Sequence, residues 1–436
     1  MNNKKRFCAF LLAAIMVVSF GCAAKQQPEP TPEPAAPVSA QPLRMPALEP
    51  AKPLLAPDYE TTGSESAGKG VNAFSFALAQ KLHQKGENMV VSPFSVWMTL
   101  TALANATDQS ALNELLTSLG VADMSVEELN SSVSRMLYEL TGNEGGGTYN
   151  PLSLANAVFV DQSVTLQKEF AQRFLDYYRG TAMNVDMQSP EAIKAINDWA
   201  SEHTNGLITD IVKEIPKDTI VALANAIYFS DRWALEFDEK QTQDMVFHGV
   251  NEDVTVPFML REGDAIPYYE DEALQAVSLS FKTGSNMYIL LPKDGDADAL
   301  LQDMTADQFA EIAANTVPST GKLLLPRFSL SSDFQLNDAL EALGVPLLDR
   351  ANPKLTGLVE ETDAFIGTGL HQATIKVDEK GTTAAAVTVE LMERTSLPAP
   401  TAPFTMVCDK PFVFVLTRWT AEGGEQVLFT GVVNQL

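Results

Sequence analysis

The sequence predicts an α+β domain, with helices gathered early and strands late. Three observations carry this. Apolar residues recur at helical spacing as far as about residue 203. From residue 219 onward they cluster in short β-rich runs. Neither an internal repeat nor a second linker follows residue 66, so roughly 370 residues read as a single domain, large for one core.

In chain order, the first helix covers 71–79, where Phe74, Ala77 and Leu78 fall on one stripe. Helices follow at 93–105, 108–119 and 126–141, and Gly145-Gly146-Gly147 marks a break. A β-rich run occupies 152–160, and 167–178 and 190–203 are amphipathic helices. The nearly unbroken apolar run 219–229 predicts a central strand buried on both faces. Strands then follow at 254–260, 273–281, 287–291, 322–328, 370–377, 412–417 and 427–433. A helix at 334–343 ends at Gly344, a suitable C-cap.

The N-terminus reads as a leader. Lys4, Lys5 and Arg6 precede an almost continuous apolar stretch from Phe7 to Phe20, too short to span a bilayer comfortably. Ser19-Phe20-Gly21-Cys22 then resembles a bacterial lipoprotein signal, with Ser19 where such signals usually carry Leu. That resemblance implies a signal peptide over 1–21, cleavage before Cys22 and a lipid on its thiol. It places the protein across the inner membrane, anchored to the cell envelope or surface, or otherwise extracellular. An ordinary cleaved leader beside a chance cysteine is the alternative. Residues 22–65 are rich in proline and alanine and cannot bury enough apolar surface to offset their ordering entropy. They are expected to form a disordered linker holding a domain at 66–436 about 80–100 Å from the anchor.

Composition excludes several classes. The formal charge is -26, which repels nucleic acid and anionic surfaces. The three cysteines, Cys8, Cys22 and Cys408, make no disulfide scaffold, and Cys408 is expected to be a buried free thiol. The four histidines, His83, His203, His248 and His371, form no metal-ligand spacing, and no Cys-x-x-Cys occurs. Neither a Gly-x-Ser-x-Gly elbow nor a phosphate loop is present. No cofactor is expected, nor any catalytic activity.

The segment 376–396 is unusual. A strand ends in the acidic turn Asp378-Glu379-Lys380 before Gly381, then come small and β-branched residues, a charged patch, and Pro398, Pro400 and Pro403. Ala384, Ala385 and Ala386 have no bulk to pack. They suit a strand that slides between others, but the residues alone fit an Ala-rich helix or a plain surface loop equally.

The stretch Glu379-Lys380-Gly381-Thr382-Thr383-Ala384-Ala385-Ala386 resembles the hinge motif of the serpin family. The other serpin motifs stand in family order after residue 66. They are Asn88 to Ser95, Leu154 to Val160, Ile196 to Trp199 with Thr204 to Ile208, Asn225 to Phe229 with Trp233 and Phe237, Leu325 to Phe328, Lys410 to Phe414, and Leu428 to Val433. The resemblance implies a large central, mostly antiparallel sheet with about nine helices and an exposed reactive loop at 380–403. It implies a monomer that inhibits serine proteases, with cysteine proteases as a further target class, through an acyl-enzyme and loop insertion.

Residue by residue, the resemblance places the hinge at Glu379, Gly381, Thr382, Ala384, Ala385 and Ala386. Ser92, Ser95, Asn225 and His371 fall where the strands part, and Trp233 where the loop first enters. Family spacing puts the reactive bond at Thr395-Ser396. Thr395 suits elastase-like or subtilisin-like proteases, and Arg394, one residue earlier, suits trypsin-like ones. Three features depart from the family. Glu390 shares the alternating face of Thr382, Ala384, Ala386 and Thr388, the stretch 396–410 is long, and Asn105-Ala106-Thr107 replaces a Gly-containing turn. Glu390 also keeps open a non-inhibitory serpin serving as a carrier.

Overall fold

The computed structural model describes residues 45–56, 65–141, 152–367, 369–382, 403–421 and 424–436. The first helices form where the periodicity put them. They are α1 (Glu65–Leu82), α2 (Pro93–Leu103), α3 (Gln109–Ser118) and α4 (Val126–Thr141), with the short strand β1 (Met89–Val91) between α1 and α2. Helix α2 starts with Pro93 at its first turn and is buried on nearly every side. That suits its Phe-Ser-Val-Trp-Met-Thr-Leu run, which has no polar face. Helix α4 is held at its start by Ser125 and Glu128. The Ser125 N–H donates to Glu128 Oε2 at 2.8 Å and the Glu128 N–H donates to Ser125 Oγ at 3.3 Å.

Strand β2 (Leu152–Asp161), helix α5 (Lys168–Tyr178), strand β3 (Thr181–Val185), helix α6 (Pro190–His203) and strand β4 (Val221–Phe229) follow. β2 pairs in parallel with β3 and antiparallel with β4, giving the three-stranded order β3-β2-β4. The remaining strands through the C-terminus are β5 (Asp231–Arg232), β6 (Gln243–His248), β7 (Asp253–Glu270), β8 (Leu274–Ser280), β9 (Ser285–Pro292), β10 (Val317–Pro326), β11 (Phe328–Gln335), β12 (Leu370–Asp378), β13 (Gly381–Thr382), β14 (Phe404–Val407), β15 (Phe412–Thr420) and β16 (Gly424–Val433). Helices α7 (Ala297–Asp303), α8 (Ala306–Asn315) and α9 (Asn337–Ala342) interrupt them. A nine-stranded sheet runs β1-β16-β15-β9-β8-β7-β10-β14, with β6 on β7. A four-stranded sheet runs β11-β12-β13-β5. The fold is mixed α+β with mostly antiparallel strands and nine α-helices among the described residues.

Four sequence expectations change. The run 322–328 is two strands broken at Arg327, whose N–H donates to Pro257 O at 2.9 Å and turns the chain. The helix expected at 334–343 shortens to α9, because Phe334 pairs with His371 across the β11–β12 ladder. Gly344 still closes α9, at φ +79°. β4 is not buried on both faces throughout. Half of it is only partly buried, since it pairs with β2 on one side and borders an opening on the other.

The fourth change concerns part of the expected spacer, which lies against the domain. Residues 45–56 run extended along α4 and α5. The Lys52 N–H donates to Asp176 Oδ1 at 3.0 Å, the Leu55 N–H to Ser134 Oγ at 3.0 Å, and Arg179 Nη1 to Lys52 O at 2.6 Å. Prolines 46, 50 and 53 keep this backbone extended, and side chains of the two helices satisfy its polar groups.

Candidate functional site

The site is a fork between strands. β5 continues β4 after Ser230, and the two-residue strand β13 is wedged between β5 and β12. On one side Val377 pairs with Thr382 and Asp378 with Gly381. On the other Arg232 pairs with Gly381 and Asp231 with Thr382. Below this wedge β4 and β12 belong to separate sheets. Between them lies a cavity of about 620 Å³, lined by Ser95, Leu100, Leu223, Asn225, Leu340 and His371 among others.

Glycine is required at the head of the fork. Gly381 has φ +144°, and a Cβ there would meet Asp231 O at 2.0 Å. The turn before it is anchored from below by Trp233, which is fully buried and stacked on Phe281 with ring centroids 4.2 Å apart. Trp233 Nε1 donates to Asp378 O and its backbone N–H to Lys380 O, both at 2.8 Å. The Phe237 N–H donates to Glu379 O at 2.9 Å.

Glu379 points inward at 3% exposure. Arg327 Nε donates to its two carboxylate oxygens at 2.9 and 2.8 Å, Nη2 donates to Oε1 at 2.6 Å, and Thr242 Oγ1 donates to Oε1 at 2.5 Å. Burial alone would raise the carboxyl pKa, but Arg327 and Thr242 outweigh it and hold it below the ordinary 4.5. Under Thr382 sits a second buried acid, Asp231. Its Oδ2 accepts from the Thr283 N–H at 3.1 Å and from Thr283 Oγ1 at 2.5 Å, and its Oδ1 accepts from the Arg232 N–H at 2.7 Å. Burial raises its pKa above the ordinary 3.8 in spite of these bonds.

Lower in the opening, the Ser92 N–H donates to His371 Nε2 at 3.0 Å and Ser92 Oγ to Leu428 O at 2.8 Å. Ser95 Oγ donates to Ser92 O at 3.0 Å. Burial pushes the His371 pKa down to about 4, so the ring is neutral and Nε2 is free to accept. Asn225 stands on the opposite wall. Its Nδ2 donates to Asn156 Oδ1 at 2.6 Å, and Asn156 Nδ2 donates to Tyr178 O at 2.9 Å.

Of the residues singled out from sequence, Glu379, Gly381, Thr382 and Trp233 meet at the head of the fork. Ser92, Ser95 and His371 meet at one wall of the cavity, with Asn225 across from them. Ala384, Ala385, Ala386, Glu390, Arg394, Thr395, Ser396 and Cys22 lie outside the described residues. Sequence reading missed Arg327, Asp231 and Asn156 as partners. Arg327 was the visible one: a lone cation between Pro326 and Phe328 needs an acid if its neighbours are buried. Cys408 is fully buried and free, and burial raises its thiol pKa. Among the described residues no group of three His, Cys, Asp or Glu side chains is placed to hold a metal ion.

A family profile described as serpin (serine protease inhibitor) matches residues 69–436. The chain belongs to the serpin family. This serpin is 32% identical to Antitrypsin of Bombyx mori over 76% of its own chain and 85% of that protein. It is 32% identical to Antichymotrypsin-2 of the same species over 80% and 92% of the two chains. Among solved structures, the thermophilic serpin tengpin in its native state superposes with a TM-score of 0.76. The alignment covers 89% of this chain and 98% of tengpin at 24% identity, a likeness of fold.

Proposed function

We propose that this serpin is a suicide inhibitor of serine proteases. The observation that carries the reading is the wedge. Gly381 and Thr382 already form a strand between β12 and β5, and the opening between β4 and β12 continues in line with it. Chain that follows Thr382 therefore has a place to go, between edges of β4 and β12 that pair with no other strand there among the described residues.

In this mechanism the loop is offered as a substrate. The protease serine Oγ attacks the carbonyl of Thr395 or Arg394 and forms an acyl bond. The peptide C–N bond breaks, and the departing amine of Ser396 or Thr395 takes up the proton. The freed end then enters the opening as a strand. About a dozen ladder hydrogen bonds at ~1 kcal/mol each supply on the order of 10 kcal/mol. No catalytic group of the inhibitor takes part. The protease remains acylated because the inserted strand carries it away from the geometry that hydrolysis needs.

Titration tests this. Trypsin and elastase are mixed with increasing amounts of the full chain and residual activity is measured. A suicide inhibitor abolishes activity near one equivalent, whereas a carrier serpin leaves it unchanged. Masses of the released C-terminal fragments show which bond each protease attacks. On location, the proposal is export and envelope anchoring through Cys22. Labelled fatty acid is then incorporated by the wild-type chain and not by Cys22→Ala, and equal incorporation by both refutes it.

A further inference from the structure

Residues 45–56 meet α4 and α5 with a three-residue repeat. The N–H groups of Glu49, Lys52 and Leu55 donate to Gln172 Oε1 at 2.9 Å, Asp176 Oδ1 at 3.0 Å and Ser134 Oγ at 3.0 Å. Met45, Leu48, Ala51 and Leu54 form an apolar row at the same interval, and Met45, Leu48 and Leu54 pack against the core. Pro50 and Pro53 fall between the bonded positions, where no N–H is needed. Three residues per turn is the period of the polyproline II helix, which makes no internal hydrogen bonds and leaves its main chain to a partner.

The two helices read this main chain. Gln172 takes both polar groups of Glu49, since its Nε2 donates to Glu49 O at 3.4 Å while its Oε1 accepts. Arg179 Nη1 donates to Lys52 O at 2.6 Å. Asp176 is 3% exposed, and its carboxylate is met by the Lys52 N–H, by the Lys52 ammonium at 3.3 Å and by Gln172 Nε2 at 3.0 Å. Burial alone would raise its pKa, but the Lys52 N–H, Gln172 and the Lys52 ammonium outweigh it and hold it below the ordinary 3.8. Two of those three partners belong to Lys52, so an empty groove would leave a buried carboxylate short of bonds.

The groove also reaches one wall of the opening. Tyr178 lies between Asp176 and Arg179 in sequence, and its carbonyl accepts from Asn156 Nδ2 at 2.9 Å. Asn156 Oδ1 in turn accepts from Asn225 Nδ2 on β4 at 2.6 Å. Residues 45–56, α5, β2 and β4 are thus joined in series.

We propose that the groove between α4 and α5 is a recognition site for an extended, proline-interrupted peptide with an apolar residue at every third position, and that residues 45–56 are its ligand in cis. Occupancy braces α5 and, through Tyr178 and Asn156, the β4 wall. All but one of the polar contacts fall on main chain, so the site selects conformation and the apolar row, and the same segment fills it in trans. Neither the reactive loop nor a protease takes part.

The test uses the full chain as wild type, as Lys52→Pro, and as a spoilt-strap form carrying Leu48→Ser, Lys52→Pro and Leu54→Ser. Circular dichroism checks that each is folded. The probe is a labelled synthetic peptide of residues 45–56, and fluorescence anisotropy reads its binding. The spoilt-strap chain should bind it saturably, and wild type, whose groove is filled in cis, at least about tenfold more weakly. Scrambling the apolar row of the peptide, or adding Gln172→Ala to the spoilt-strap chain, should weaken binding about tenfold. Hydrogen exchange reads the brace. Amides of β2 and β4 should exchange about tenfold faster in the spoilt-strap chain and return to the wild-type rate with saturating peptide, while those of β15 and β16 stay unchanged. Lys52→Pro alone keeps the backbone extended and removes one N–H, so the Glu49 and Leu55 amides should exchange about fivefold faster. That variant decides the matter if the spoilt-strap chain does not fold. The recognition site is overturned if the folded spoilt-strap chain binds no peptide, if the scrambled peptide binds as well, or if Lys52→Pro leaves those two amides at the wild-type rate. The brace is overturned if β2 and β4 keep the wild-type rate, or if β15 and β16 speed up equally.

Discussion

Removing Arg327 should expose how much the head of the fork depends on one ion pair. The Glu379 side chain is 4% exposed and that of Arg327 43%, so one partner is buried and the other half open. Breaking a fully buried pair costs about 3–5 kcal/mol, and an exposed pair contributes less than about 1 kcal/mol. The mixed geometry gives about 2 kcal/mol for Arg327→Ala at pH 7. The assay is urea unfolding of the intact protein at pH 7 and at pH 4. In wild type the Glu379 pKa lies below its unfolded value. Its contribution is therefore present above about pH 4.5 and is lost as pH falls through the lower folded value. In the variant, burial without Arg327 raises that pKa, and protonation relieves a penalty as pH falls. The gap between the two proteins should thus shrink on acidification. Glu379→Gln combined with Arg327→Ala should recover part of the loss. A deficit equal at both pH values, or one below about 0.5 kcal/mol at pH 7, would refute the reasoning.

Three further outcomes follow from the same geometry. Gly381→Val places a Cβ 2.0 Å from Asp231 O and should expel the hinge strand. The variant should then be cut as a substrate, with several equivalents needed to silence one of protease. His371, held neutral with its pKa near 4, binds fewer protons folded than unfolded between about pH 6.5 and 4. Its contribution is complete above that window and is lost as pH falls, at about 1.4 kcal/mol per unit, while His371→Gln should flatten that slope in urea titrations. If the loop inserts as proposed, the sequence alternation that starts at Thr382 turns Glu390 inward as well. Nicked wild type should therefore gain resistance to denaturant relative to nicked Glu390→Gln as pH falls. A difference between the two nicked proteins that does not move with pH tells against an inward carboxylate.

Local signals made much of this fold legible. Helix α4 has the bounds 126–141 that its periodicity gave, because a strong apolar stripe and an N-terminal Ser125/Glu128 pair agree. Strands β12 and β16 sit where β-branched runs end at turn residues. Helices α7 and α8 are absent from the sequence expectations, since each is short. Their caps were the available cue: Asp296 accepts from the Ala299 N–H, and Thr305 and Gln308 form a capping box. The break at Arg327 was hidden, because a strand that changes sheet keeps the same alternation. The site was legible as motifs and not as geometry. Gly381 and Trp233 could be named from order alone, but the parting of β4 from β12 is a matter of pairing between distant strands. The docking of residues 45–56 was equally invisible, because main-chain hydrogen bonds to Asp176 and Ser134 leave no mark in the composition of a proline-rich stretch.

The central claim is that a protease attacking this loop is trapped as a covalent acyl-enzyme. The direct measurement is a denaturing gel of the full chain mixed with catalytic amounts, then equimolar amounts, of trypsin and of elastase. The account predicts an SDS-resistant band at the summed mass of protease and cleaved inhibitor, lost when the protease serine is replaced. Complete cleavage of the loop with no such band for either protease would contradict it.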